Sequence, residues 1–180
     1  MEHECMDEIL LSKDDIAKII EKLGAQISND YKNKNLLIVC VLKGSVVFTV
    51  DLMRALTIPC SLDFMAASSY HGVSNDGCGN VKILKDLSIS IEDYDVLIVE
   101  DILESGYTLD CIVKMLEVRN PKSLKICTLL DKPQRHKIDI HADYVGCEIP
   151  SKFVVGYGLD YNEKYRQLPF VGVLKPCMYE

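Results

Sequence analysis

The segment from Val96 to Asp110, VLIVEDILESGYTLD, concentrates residue types suited to binding a sugar phosphate. An apolar run ends in two carboxylates, Glu100 and Asp101. It then enters a loop holding Glu104, Ser105, Gly106, Tyr107 and Thr108, and continues into a helical pattern. Small residues let backbone N–H groups approach an anion closely, and a helix N-terminus adds a favourable dipole. The hydroxyls of Ser105 and Thr108 can add donors. The flanking acids are wrong for a phosphate but right for ribose hydroxyls, which need acceptors, and for a divalent cation, which needs oxygen ligands. Phosphate donors beside sugar acceptors suggest a ribose 5-phosphate site. The bland alternative is an acidic pair that only marks a strand's exit to solvent. Adjacent residues on a regular strand face opposite ways, so both acids reach one ligand only if the strand has ended or bent there.

The elements around this segment must position it. A helix is expected near Ser12 to Tyr31, with Ser12 and Asp15 in capping-box spacing and Ile16, Ile19, Ile20, Leu23 and Ile27 as its buried stripe. Leu36–Leu42 is a continuous apolar run, typical of a strand buried on both faces. A Lys-Gly-Ser turn leads to a helix from about Val46 to Leu56, and Cys60–Ser68 reads as a strand. Further strands are expected at Val81–Asp86, Val96–Val99 and Leu124–Leu130, a helix at Thr108–Arg119, and shorter strands around Tyr144, Val154 and Val173. Residues 69–80 are polar and Gly-rich, and a loop of that length is often a mobile lid. Strands alternating with helices imply an α/β fold with a mostly parallel twisted sheet flanked by helices. In such sheets ligands bind beyond the carboxyl ends of the strands, so the turns after the strands should carry the chemistry.

Bulk properties narrow the classes. At 180 residues, a single domain spanning 1–180 is expected. The net charge of -7 argues against a nucleic-acid partner, which needs a basic face. The eight cysteines are scattered, with no CxxC and no metal-type cluster, and several sit in apolar runs. They are read as reduced, which points to a cytoplasmic protein. The N-terminal MEHECMDEILLSKDD is acidic and has the pattern of neither a signal nor a transit peptide. No apolar run reaches the roughly 18 residues of a membrane span.

The Val96–Asp110 segment resembles the signature by which type I phosphoribosyltransferases bind phosphoribosyl pyrophosphate (PRPP). Further matches point to the hypoxanthine-guanine branch: VLKGS at Val41–Ser45, SSY at Ser68–Tyr70, VKILKDL at Val81–Leu87, LLDKPQRH at Leu129–His136 and IPSKFVVGYGLDYNEKYRQLP at Ile149–Pro169. The resemblance covers nearly the whole chain and is closest to the short bacterial enzymes. It implies the type I phosphoribosyltransferase fold, with a small hood built from the terminal segments.

The resemblance also implies roles for single residues. Glu104 through Thr108 would bind the 5-phosphate, and Glu100 and Asp101 the ribose hydroxyls and Mg2+. Lys43, Gly44 and Arg166 would bind pyrophosphate, with a non-proline cis peptide at Leu42–Lys43. Lys132 would donate to the purine O6, Phe153 would stack on the ring, and Val154 would contact its edge through backbone. Asp160 would be a further magnesium ligand beside the purine, and Ser69 and Tyr70 would close over the reacting centre. Taken singly, a lysine after a strand, or an Asp or Arg on a loop, is more often solvated. Glu104 departs from the family, which usually carries Asp there as the general base toward purine N7. It is either a working base in a slightly shifted loop or the mark of a slow enzyme. His71, His136 and His141 have no metal-type spacing and are read as loop histidines.

The expected reaction transfers the phosphoribosyl group of PRPP to hypoxanthine or guanine, giving IMP or GMP and pyrophosphate, in a homodimer or homotetramer. A non-catalytic protein that senses PRPP or nucleotides is the alternative. A generic nucleotide-binding α/β domain ranks lower, because the chain has neither a P-loop lysine motif nor GxGxxG.

Overall fold

The computed structural model describes residues 5–69 and 81–179, with only the backbone of Ser69. The chain forms strand β1 (Met6–Leu11), helix α1 (Lys13–Asp30), β2 (Leu36–Leu42), α2 (Val46–Ala55), β3 (Ser61–Ser69) and β4 (Val81–Lys85). It continues through β5 (Asp95–Leu103), α3 (Tyr107–Glu117), β6 (Ser123–Asp131), β7 (Tyr144–Glu148), β8 (Val154–Val155) and β9 (Val171–Leu174). The expected loop over 69–80, including Tyr70 and His71, otherwise lies outside the described residues.

Two sheets organise these elements. The larger has six strands in the order β4-β3-β2-β5-β6-β7, parallel except for β4, which runs antiparallel to β3. The smaller is an antiparallel sheet of order β1-β9-β8, the expected hood. Its first strand was not expected. Met6–Leu11 pairs with β9 through two register irregularities, which break the alternation that would mark it in sequence.

The parallel strands are buried because both faces are covered. Residues 36–41 of β2 and 95–99 of β5 are continuously buried. On one face Ile16, Ile20, Leu23 and Ile27 of α1 pack with Phe48 and Leu52 of α2. On the other, Leu109, Ile112 and Leu116 of α3 cover Leu37, Val39, Val96 and Ile98. After β3 and β4 the chain returns to place β5 on the opposite side of β2. Strand order therefore reverses between β2 and β5, and the turns leaving these two strands open a crevice where ligands bind in sheets of this kind.

The α1 start is set locally. The Asp15 N–H donates to the Ser12 hydroxyl at 3.2 Å, and the Ser12 N–H donates back to the Asp15 carboxylate at 3.0 Å. No helix among the described residues is long and apolar enough to cross a membrane. Replacing Ser12 by Ala removes one half of this reciprocal pair. It is expected to lower unfolding free energy by about 1 kcal/mol in a urea titration, with the fold retained.

Candidate active site

The switch between β2 and β5 brings three backbone turns together. The first follows β2, where the Leu42–Lys43 peptide is cis, as expected. The second runs from the end of β5 into α3. Gly106 caps that helix with φ 88°, and a Cβ there would strike the side chains of Ile140 and Ile138. No side chain caps α3, and its start borders a cavity bounded by Glu100, Ile102–Gly106, Thr108 and Leu109, about 190 Å³ in volume. The third turn is residues 156–166 of the hood. Gly158, at φ 102°, lies so close to the Gly44 carbonyl that no larger residue fits.

Glu100 and Asp101 diverge, and the expectation that the strand ends at them is corrected. β5 runs on to Leu103, and its pairing with β6 holds at Glu100, Ile102 and Leu103, while its pairing with β2 stops at Val99. Glu100 lines the cavity in front of α3, and its Oε2 is buried without a hydrogen-bond partner. Asp101 turns the other way: a Cβ on Gly44 would fall on its carboxylate. Its Oδ1 accepts from the Ile102 N–H at 2.7 Å. Burial, with the Asp101 charge beside it, holds the Glu100 carboxyl well above the usual range. Burial also raises Asp101 from 3.8 to about 6, against the Ile102 hydrogen bond and the Arg166 cation, which favour the charged form. Two acids that would rather be neutral have room for hydroxyl donors or a cation.

Glu104 stands at a boundary. Its Oε1 accepts from Lys132 Nζ at 3.1 Å and pairs with Arg135 Nε at 3.3 Å. Lys132 is only 5% exposed, so this carboxylate is the counter-charge of a nearly buried ammonium. Both residues line a second cavity of about 340 Å³, with Phe153, Val154 and Asp160. Ile102 and Glu104 are common to both cavities, so the carboxylate lies where they adjoin. Phe153 is 39% exposed, and its ring stacks on Tyr179 at 4.9 Å and meets Tyr161 edge-on. Tyr107 is exposed, as the first residue of α3, and Ser105 and Thr108 border the first cavity.

Arg166 is anchored by its Gly158 carbonyl contact at 2.8 Å and by Asp160 at 2.8 Å. Lys43 projects beside this turn and pairs with Glu163 at 3.1 Å. Among the described residues no group of three or more His, Cys, Asp or Glu side chains converges, so Glu100, Asp101 and Asp160 do not form one cage. Asp160 pairs with Arg166 and accepts from the Glu163 N–H.

Several participants were not singled out from sequence. Tyr179 reaches the site from a segment with no local signal for it, and Arg135, inside the LLDKPQRH match, had been given no role. His136 is also more than a loop histidine. Its Nε2 lies 2.6 Å from Asp131, with both side chains largely buried, and this contact ties the Lys132–Arg135 turn to the end of β6. His141 is exposed beside Asp139, as expected. A larger cavity than either of those at the site, about 690 Å³, lies between α1, α2 and the Tyr157–Pro169 segment and is mostly aliphatic. It lacks the Glu100–Asp101 pair and the α3 loop.

A parallel sheet with a carboxylate pair and a Gly-bearing loop at its switch point, roofed by an antiparallel hood, is the architecture of a phosphoribosyltransferase. The family model for the phosphoribosyl transferase domain matches residues 7–162. A hypoxanthine-guanine phosphoribosyltransferase of Staphylococcus aureus is 53% identical over 177 residues, 98% of either chain. The crystal structure of a hypoxanthine phosphoribosyltransferase from the same organism superposes with a TM-score of 0.94 at 52% identity, covering 99% of this chain and 97% of that one. One from Bacillus anthracis, a hypoxanthine-guanine phosphoribosyltransferase, gives 0.88 at 41% identity, covering 94% and 98%. The chain belongs to the hypoxanthine-guanine phosphoribosyltransferase family.

The raised Asp101 carboxyl has a consequence for stability. A folded-state pKa above the ordinary 3.8 means that the fold holds the proton more tightly than the unfolded chain. The stability this contributes is full below pH 3.8 and is lost as the pH rises through about 6. Asn at this position stays neutral and keeps an oxygen to accept from the Ile102 N–H. In chelator and without ligand, Asp101→Asn should therefore melt higher than the parent at pH 8, the difference closing toward pH 4.

Proposed function

We propose that this chain catalyses purine salvage, transferring the 5-phosphoribosyl group of PRPP to hypoxanthine or guanine and releasing pyrophosphate. The observation that carries the reading is the position of Glu104, on the shared wall of two cavities. One is suited to a ribose 5-phosphate and the other to a planar base. The bond to be formed must lie between them.

The 5-phosphate is bound by the N–H groups of the loop from Glu104 to Thr108, with the Ser105 and Thr108 hydroxyls, at the uncapped start of α3. Glu100 and Asp101 accept from the ribose hydroxyls. That fits two buried carboxyls short of donors, one with an orphaned oxygen. The same chemistry fits Mg2+ held by Glu100, Asp101 and Asp160 together with substrate oxygens and water, since magnesium rarely uses an all-protein cage. When bound, the ion supplies positive charge to the departing pyrophosphate. Lys43, the Gly44 backbone and Arg166 bind that same end of PRPP.

On the base side, Lys132 donates to the O6 of the purine and Phe153 packs against its face, with Val154 backbone at the edge. A nearly buried ammonium with a donor to place rejects a 6-amino group, which would leave it unpaired. Glu104 takes the N7 proton as the glycosidic bond forms at the anomeric carbon. The closing role of Ser69 and Tyr70 on a mobile loop at 69–80 belongs to the same reading. So does assembly as a homodimer or homotetramer, which sedimentation would report. No feature of the site favours the sensing alternative.

Incubation with PRPP, magnesium and hypoxanthine should yield IMP and pyrophosphate in equal amounts. Absence of IMP and GMP under all such conditions would overturn the proposal. Glu104→Gln should lower kcat/KM on the order of 100-fold to 10,000-fold with the melting temperature preserved. Lys132→Met should raise KM for hypoxanthine far more than that for PRPP.

A further inference from the structure

Glu163 bridges two cations beside the site. Its Oε1 pairs with Lys43 at 3.1 Å and its Oε2 with Arg166 at 3.3 Å. Lys43 and Arg166 are the side chains assigned above to the pyrophosphate end of PRPP. Each carboxylate oxygen meets one cation, as two phosphate oxygens of a bound polyanion would.

The local backbone is shaped to present this carboxylate. Asn162, Glu163 and Tyr165 all have left-handed φ values, of 51°, 62° and 77°, which non-glycine residues rarely adopt. The Glu163 N–H donates to Asp160 at 2.9 Å, and Tyr161 and Lys164 exchange amide bonds near 3.1 Å to close the turn. Stability does not explain the contact with Lys43. The two side chains are 68% and 64% exposed, and exposed ion pairs add little to folding. The cations nonetheless hold the Glu163 carboxyl below its usual range, so it is charged at neutral pH. Arg166 still has capacity, since its Nε is buried with no hydrogen-bond partner.

We infer that Glu163 is an internal counter-ion that occupies the pyrophosphate subsite of the ligand-free protein, and that incoming PRPP or pyrophosphate must displace it. The inference rests on the assignment of Lys43 and Arg166 to pyrophosphate. An anion that must break two contacts and face a displaced negative charge binds more weakly than the cations alone would allow, by the fraction of molecules in which the subsite is open. Glu163 thereby sets the affinity for the polyanion and hastens release of the product.

The test is Glu163→Gln, which removes the charge and keeps the shape. Steady-state kinetics at fixed magnesium and ionic strength give KM for PRPP, KM for hypoxanthine and the inhibition constant of pyrophosphate. The PRPP and pyrophosphate constants should fall on the order of threefold, with the gain shrinking at high salt, while KM for hypoxanthine stays unchanged. A Glu163 that only holds Lys43 and Arg166 in place would give the opposite sign on removal, so unchanged or raised constants overturn the inference. Lys43→Met and Arg166→Lys separate the two levels. If neither weakens pyrophosphate inhibition, the assignment of the subsite itself fails. If they weaken it and Glu163→Gln does not tighten it, the counter-ion idea alone fails.

Discussion

Two half-buried carboxyl groups near the end of β5 are the constraint around which the site is arranged. Glu100 and Asp101 stand where β2 pairing has ceased and β6 pairing continues, so their backbone is fixed on one side and open on the other. Desolvation pushes both toward the neutral form, and the Asp101 charge adds to it at Glu100. Such an arrangement costs stability in the ligand-free protein and is relieved by hydroxyl donors or a cation. The sheet tolerates it because strand order reverses at this point, which leaves a crevice rather than a packed strand end.

Glycines let three turns close around that crevice. Gly44 leaves space for the Asp101 carboxylate, Gly106 fits beneath Ile138 and Ile140, and Gly158 allows the hood turn to lie against the Gly44 carbonyl. The exposed Lys43–Glu163 pair also reaches from the β2 turn to the hood, while the Arg166 contacts lie within the hood turn itself. In the proposed reading the α3 loop serves the 5-phosphate, the β2 turn with Arg166 of the hood serves the pyrophosphate, and Lys132 after β6 with Phe153 and Val154 serves the base. Glu104, bound to both Lys132 and Arg135, couples the phosphate side to the base side.

Much of this was legible in sequence where the signal is local. The runs LLIVCVL and VLIV announced β2 and β5, Ser12 with Asp15 announced the start of α1, and the alternation of elements gave a parallel sheet. The strand, acidic pair, small loop and helix from Val96 onward marked the site itself. What stayed hidden depends on contacts between distant segments. β1 carries no clean alternation because its register with β9 slips twice. The stack of Tyr179 on Phe153 and the bridge from Lys43 to Glu163 join residues far apart in the chain. β5 was expected to have ended or bent at its acids, whereas pairing with β6 carries it on to Leu103. The pairing of Asp160 with the Arg166 guanidinium had no signal in the sequence.

The most direct measurement of the central claim is a crystal structure with IMP bound. The account requires the 5-phosphate on the amides of residues 104–108, the ribose hydroxyls against Glu100 and Asp101, and the purine with N7 toward Glu104 and O6 toward Lys132. A nucleotide seated in the aliphatic cavity between α1 and α2, with the α3 loop vacant, would contradict it.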